Sequence, residues 1–97
     1  MKTVMVRYKT KPEHARANEK LVRAVFTALE KKDPGGIRYA SYRLPDGVTF
    51  VHLALLDGAK NPLGSLPEFE AFSSTVAERC DEPPVVHEIE PIGSYGF

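Results

Sequence analysis

From residue 3 to residue 9 the chain alternates between apolar and polar positions: Val4, Val6 and Tyr8 fall on one side, Met5, Arg7 and Lys9 on the other. A period of two marks a strand with one face turned to a core, so Thr3 to Lys9 reads as the first strand. Thr10-Lys11-Pro12-Glu13 then carries the threonine-to-glutamate spacing of a capping box, with proline in the first turn where no amide hydrogen is needed. A helix is predicted from there to about Lys32, because Leu21, Val22, Val25, Phe26 and Leu29 recur at helical spacing. Asp33-Pro34-Gly35-Gly36 ends it.

Ile37 to Leu44 reads as a second strand, Pro45-Asp46-Gly47 as a tight turn, and Val48 to Leu56 as a third strand. The third strand is the most apolar segment, which predicts a central place in the sheet. Asp57 to Gly64 is a loop, marked by its glycines and an Asn-Pro pair. Ser65-Leu66-Pro67-Glu68 repeats the earlier helix start, and Phe69, Phe72, Val76 and Cys80 extend a stripe that predicts a helix to about Cys80. Pro83-Pro84 breaks the chain before a fourth strand, Val85 to Ile92. The tail Gly93 to Phe97 holds Tyr95 and Phe97 among glycines and is expected to anchor through those rings.

The element order is β-α-β-β-α-β. Two right-handed β-α-β units predict an α+β, ferredoxin-like domain: a four-stranded antiparallel sheet of order 4-1-3-2 with both helices on one face. The other face is expected to carry Phe50, His52, Ala54 and Leu56, or their alternates. A bare apolar sheet face calls for a partner, so a homodimer packed sheet against sheet is expected.

Composition narrows the partners. Ninety-seven residues make one domain, residues 1–97. Thirteen basic residues balance 13 acidic ones, which argues against nucleic acid. The single Cys80 cannot form a disulfide within the chain. The apolar run before Arg7 is too short for a signal peptide core or a membrane span, so a cytoplasmic location and no membrane partner are expected.

His52, inside the most apolar strand, is the foremost catalytic candidate, because imidazole titrates near working pH. The plainer reading is a core or interface histidine hydrogen-bonded to a backbone group or across a dimer. His14 and Asn18 stand four apart on the first helix, at the open end of its apolar stripe, where a substrate pocket would begin. Asparagine both donates and accepts, which makes Asn18 the better of the two. Tyr39 and Tyr42 lie on opposite faces of the second strand, and one of them is placed to bind a phenolate or oxyanion. His87, beside Glu88 and Glu90, reads as an edge residue. No catalytic metal is expected, since His52 and His87 are separated by a strand, roughly 9.6 Å, and no short-spaced ligand pair occurs.

The order of elements, the hairpin between strands 2 and 3, and the phenylalanine-bearing second helix after a capped loop resemble the antibiotic-biosynthesis monooxygenase (ABM) domains of the dimeric α/β-barrel superfamily. The resemblance runs from strand 1 to strand 4. It implies a homodimer, a pocket between sheet and helices, and oxidation of a small phenolic, quinone-like or polycyclic substrate without a cofactor. In that reading His52 is the base, and Asn18 and a tyrosine are the donors. The absence of tryptophan departs from the haem-degrading members. A non-catalytic dimeric module for a small apolar or aromatic ligand, and an isomerase or lyase of the same superfamily, are the alternatives. Other families of this layout fit worse. Strand 3 lacks the aromatic motif of RNA-binding modules, one cysteine is too few for a metal chaperone, and Thr10-Lys11-Pro12-Glu13 is not an acylphosphatase loop.

Overall fold

A computed structural model describes residues 2–96. Strand β1 (Lys2–Thr10) leads through a 3₁₀ turn (Pro12–His14) into helix α1 (Ala15–Lys32). Strands β2 (Ile37–Arg43) and β3 (Thr49–Leu56) follow, then a 3₁₀ turn (Pro62–Ser65), helix α2 (Pro67–Ser73), a further 3₁₀ turn (Val76–Arg79) and strand β4 (Cys80–Ile89). The sheet is antiparallel, in the order β2-β3-β1-β4. This is the order the sequence predicts, with apolar β3 inside.

Register decides which side chains share a face. Val6 lies opposite His52, which lies opposite Ser41; Val4, Ala54 and Tyr39 form the neighbouring row. In an antiparallel sheet, residues paired in this way project to the same side. That side is the buried one: Tyr8, Phe50, His52, Ala54 and Leu56 are all enclosed. Tyr8, Phe50 and Phe72 form one apolar cluster with Val22, Val25 and Ala28 of α1. Of the two sets expected for the bare face, the alternates line it, not Phe50, His52, Ala54 and Leu56. They face the helices, and Met5, Arg7, Val51, Leu53 and Leu55 occupy the other side. A one-residue change of register exchanges the two sets, and β3 is apolar at both.

Both helix starts differ from their predicted caps. Thr10 is the last residue of β1, and its hydroxyl donates to the Val48 carbonyl rather than capping α1. The Ser65 hydroxyl donates to the Pro62 carbonyl, and Leu66 holds the cap position of α2. Helix α2 is also shorter than its stripe suggests. It stops at Ser73, where Ser73-Ser74-Thr75 brings hydroxyls that compete for backbone partners. Thr75 Oγ1 donates to the Ala71 carbonyl at 2.8 Å, and the chain tightens into the 3₁₀ turn that carries Arg79 inward.

Strand β4 begins at Cys80, ahead of its predicted start. Pro83 and Pro84 are accommodated because β4 is an edge strand, paired only with β1, whose register shifts between Arg7 and Thr10. Cys80 thus opens a strand instead of closing a helix, and is half-buried. Tyr95 is 99% exposed, so it does not anchor the tail on its own sheet, and Phe97 lies outside the described residues.

Leu66 is fully enclosed at the start of α2, whereas Ile92 is fully exposed. Leu66→Ala is expected to lower unfolding stability by about 3 kcal/mol and Ile92→Ala by less than about 0.5 kcal/mol. Urea titration of the two variants measures both. Equal losses would contradict this placement of the core.

Candidate functional site

The buried face of the sheet and helix α2 stand apart around a cavity of about 480 Å³. Its walls are mainly apolar: Val4, Val6, Leu63, Phe69, Phe72 and Val76. Tyr8, Tyr39 and His52 bring polar atoms to the same space. The volume falls in the range of small-molecule pockets, roughly 300–1,000 Å³.

His52 is 3% exposed and lies between two tyrosine rings. Its Nε2 is 2.7 Å from the Tyr8 hydroxyl. Its Nδ1 is 2.6 Å from Ser41 Oγ and 2.9 Å from the Tyr39 hydroxyl. Burial pushes the imidazole pKa from 6.5 down to about 4, because a charged ring loses water there and no carboxylate replaces it. His52 is therefore neutral at neutral pH. The same loss of water lifts Tyr39 to about 12, against a lowering hydrogen bond from Ser41. Tyr8 is raised still further, again by burial.

Behind Tyr8 the network continues into α1 and the turn before β4. Asn18 is wholly enclosed, and its Nδ2 donates to the Tyr8 hydroxyl at 2.8 Å. Its Oδ1 accepts from Arg79 Nε at 3.1 Å. Arg79 is 7% exposed and donates also to Thr75 Oγ1 and to the Phe72 carbonyl. Its guanidinium stands over the Phe72 ring, 5.6 Å from the centroid. Among the described residues no carboxylate pairs with it, and no buried side-chain nitrogen or oxygen lacks a hydrogen-bond partner.

The sequence candidates divide cleanly. His52 and Tyr39 line the cavity, and Asn18 supports it from behind Tyr8. His14 is not among the lining residues and stays half-buried at the helix start. Tyr42 is 56% exposed on the opposite face of the sheet. The odd spacing from Tyr39 puts it there, so it leaves the site. His87 is exposed, and its pairing with Met5 places it on the face away from His52. Among the described residues no three His, Cys, Asp or Glu side chains converge as metal ligands would.

Tyr8, Ser41 and Arg79 were not singled out by sequence reasoning. Tyr8 shared a predicted face with Val4 and Val6, and Ser41 stands two residues from Tyr39 on the same strand; that parity was the available signal. Arg79 gave none, because it sits in a run of charged residues that normally faces water.

No protein-family model matches the sequence, and no curated protein matches it either. Solved structures do. The Rv0793 protein of Mycobacterium tuberculosis shares 24% identity, covers 96% of each chain and superimposes with a TM-score of 0.76. A Nitrosomonas europaea protein designated a candidate antibiotic biosynthesis monooxygenase shares 18% identity over 96% of this chain and 100% of its own, with a TM-score of 0.76. A Bacteroides thetaiotaomicron protein of the same designation, at 9% identity, covers 94% of this chain and 89% of its own, with a TM-score of 0.78. At such identities the likeness establishes architecture: the chain has an ABM-like fold.

The environment of His52 makes stability depend on pH. In the unfolded chain the imidazole takes up a proton below about pH 6.5, and in the folded protein only below about 4. The unfolded state binds the proton first, so stability is full above 6.5 and falls as pH drops toward 4, by about 3 kcal/mol in all. His52→Gln should abolish the fall in that window. The separate loss at lower pH should persist, since Thr49 and Val48 hold Asp46 at about 2. Urea unfolding at pH 7, 5.5 and 4.5 measures this. A wild-type curve flat across those values would contradict a dry imidazole.

Proposed function

We propose that the cavity binds a small, flat, mainly apolar molecule carrying one phenolic or keto oxygen, and that the protein oxidises it with molecular oxygen without a cofactor. The observation behind this reading is a mainly apolar cavity of about 480 Å³ lined by one connected polar group, Tyr39–His52–Tyr8. An electron-rich enolate or phenolate can reduce oxygen itself. It then needs a water-poor pocket and hydrogen-bond donors where charge develops.

In the balanced reaction a ring methylene and dioxygen give a ring ketone and water. The enolate passes one electron to oxygen, and the resulting superoxide joins the ring carbon, forming a carbon–oxygen bond. The peroxide takes up a proton, its O–O bond breaks as the remaining C–H proton leaves, and water departs. One oxygen atom stays on the substrate. In this scheme Tyr39 touches the substrate oxygen, and His52 sits behind it as the proton-handling partner. The fold it shares with structures designated as monooxygenases supports the reading.

A second reading, a carrier with no chemistry, is favoured by one observation: both His52 nitrogens are already bonded to hydroxyls of the chain, so no free base faces the cavity. Oxygen-electrode measurements on anthrones and hydroquinones, with and without chelator, separate the two. Oxidation predicts uptake of one oxygen molecule per ketone formed, unaffected by chelator, and a fall in kcat of about a hundredfold for Tyr39→Phe. Binding of the same compounds with no oxygen consumed would leave the carrier.

We also propose that a second copy covers the helix-free face, giving a homodimer, and that the protein works in the cytoplasm. Half-buried Val51, Leu53 and Leu55 run along that face, with Tyr42 and Val85 exposed beside them. Sedimentation at micromolar concentration should show a dimer, and Leu53→Lys a folded monomer. A wild-type monomer would remove the proposal.

A further inference from the structure

Hydrogen-bond direction in the buried network follows from its far end. A guanidinium has donors and no acceptor. Arg79 Nε therefore gives its hydrogen to Asn18, which fixes the amide with Oδ1 toward Arg79 and Nδ2 toward Tyr8. Asn18 in turn donates to the Tyr8 oxygen. The Tyr8 proton then has one acceptor within reach, His52 Nε2 at 2.7 Å. If Nε2 carried a hydrogen instead, Tyr8 would receive two donors and its own proton would be buried without an acceptor, at a cost of about 1–3 kcal/mol.

A neutral imidazole that accepts at Nε2 carries its proton on Nδ1. Nδ1 then donates toward Ser41 Oγ and the Tyr39 oxygen. A protonated Nδ1 offers Tyr39 no acceptor, so the tyrosine's own hydrogen is free to turn to the cavity. Tyr39 lines the cavity.

We infer that Arg79 sets a one-way chain of donors through Asn18, Tyr8 and His52, so that the cavity is presented with the Tyr39 hydroxyl as a donor and selects apolar ligands with an acceptor oxygen (a ketone, a quinone or an oxyanion) over the matching neutral phenol. This rests on the cavity being the ligand site, and it deepens the proposed function by naming the form in which the ligand binds. Arg79 and Asn18 are positioning residues, acting through Tyr8 and His52 without touching the ligand.

The variant Asn18→Asp reverses the direction. A carboxylate accepts from Arg79 and from the Tyr8 hydroxyl together, so His52 Nε2 becomes the donor to Tyr8, Nδ1 becomes an acceptor, and Tyr39 turns its proton inward. Nitrogen-15 NMR of the full chain at pH 7 reads the imidazole tautomer directly. The expected result is a proton on Nδ1 in the wild type and on Nε2 in Asn18→Asp. Anaerobic calorimetry with 1,4-naphthoquinone and 1,4-dihydroxynaphthalene reads the consequence. The wild type should favour the quinone by about tenfold, and both Asn18→Asp and Tyr39→Phe should lose that preference.

A wild-type proton on Nε2, no preference in the wild type, or an unchanged preference in Tyr39→Phe each overturns the inference. Should Asn18→Asp fail to fold, the wild-type tautomer and Tyr39→Phe still decide. The two readings fail separately. The predicted tautomer and preference with no oxygen uptake would leave this inference standing and remove the oxidation. Oxygen uptake without the preference would do the reverse.

Discussion

A buried guanidinium that no carboxylate pairs with among the described residues is the constraint on which the rest of this site depends. Burying a cation is costly, and Arg79 offsets that cost with neutral acceptors: the Asn18 amide, the Thr75 hydroxyl, the Phe72 carbonyl and the face of the Phe72 ring. Loss of water lowers its pKa from the ordinary arginine value, yet a guanidinium starts so high that it stays charged. The price of that placement is a fixed polarity. Each neighbour must accept on one side and donate on the other, out to the cavity.

The fold supplies these neighbours from far apart in the chain. Tyr8 comes from β1, Asn18 from α1, His52 from β3, Ser41 and Tyr39 from β2, and Arg79 from the turn before β4. The sheet register puts His52 opposite Ser41, and Tyr39 one row away on the same face. The tight stacking of Tyr8 on Phe50, centroids 5.5 Å apart, leaves the phenol little choice of direction. Packing thus orients the rings, and hydrogen bonding orients the protons. Because the surroundings are apolar, His52 is held neutral, and a neutral imidazole is what allows one nitrogen to accept while the other donates.

Much of the scaffold was legible in the sequence. Alternation marked β1, Asp33 and the glycines after it ended α1, and the apolar run of β3 placed it inside the sheet. Asp33 closes α1 in the left-handed region at φ 44°, as a helix-ending residue does. The choice of face was not legible, because β3 is apolar on both sides. Nor were the caps, since Thr10 and Ser65 found other carbonyls to bond. For the site, His52, Tyr39 and Asn18 carried a signal: polar groups within apolar stripes. Tyr42 carried the same residue type on the wrong parity. Arg79 could not be found, because its burial comes from the early end of α2 at Ser73, a competition among hydroxyls that periodicity does not record.

Neutron diffraction from a deuterated crystal sees the direction of the buried hydrogen-bond chain atom by atom. The expected result is a deuteron on the Tyr8 oxygen aimed at His52 Nε2, a second on His52 Nδ1, and none on Nε2. A deuteron on Nε2, with Nδ1 bare and accepting from Tyr39, would contradict it.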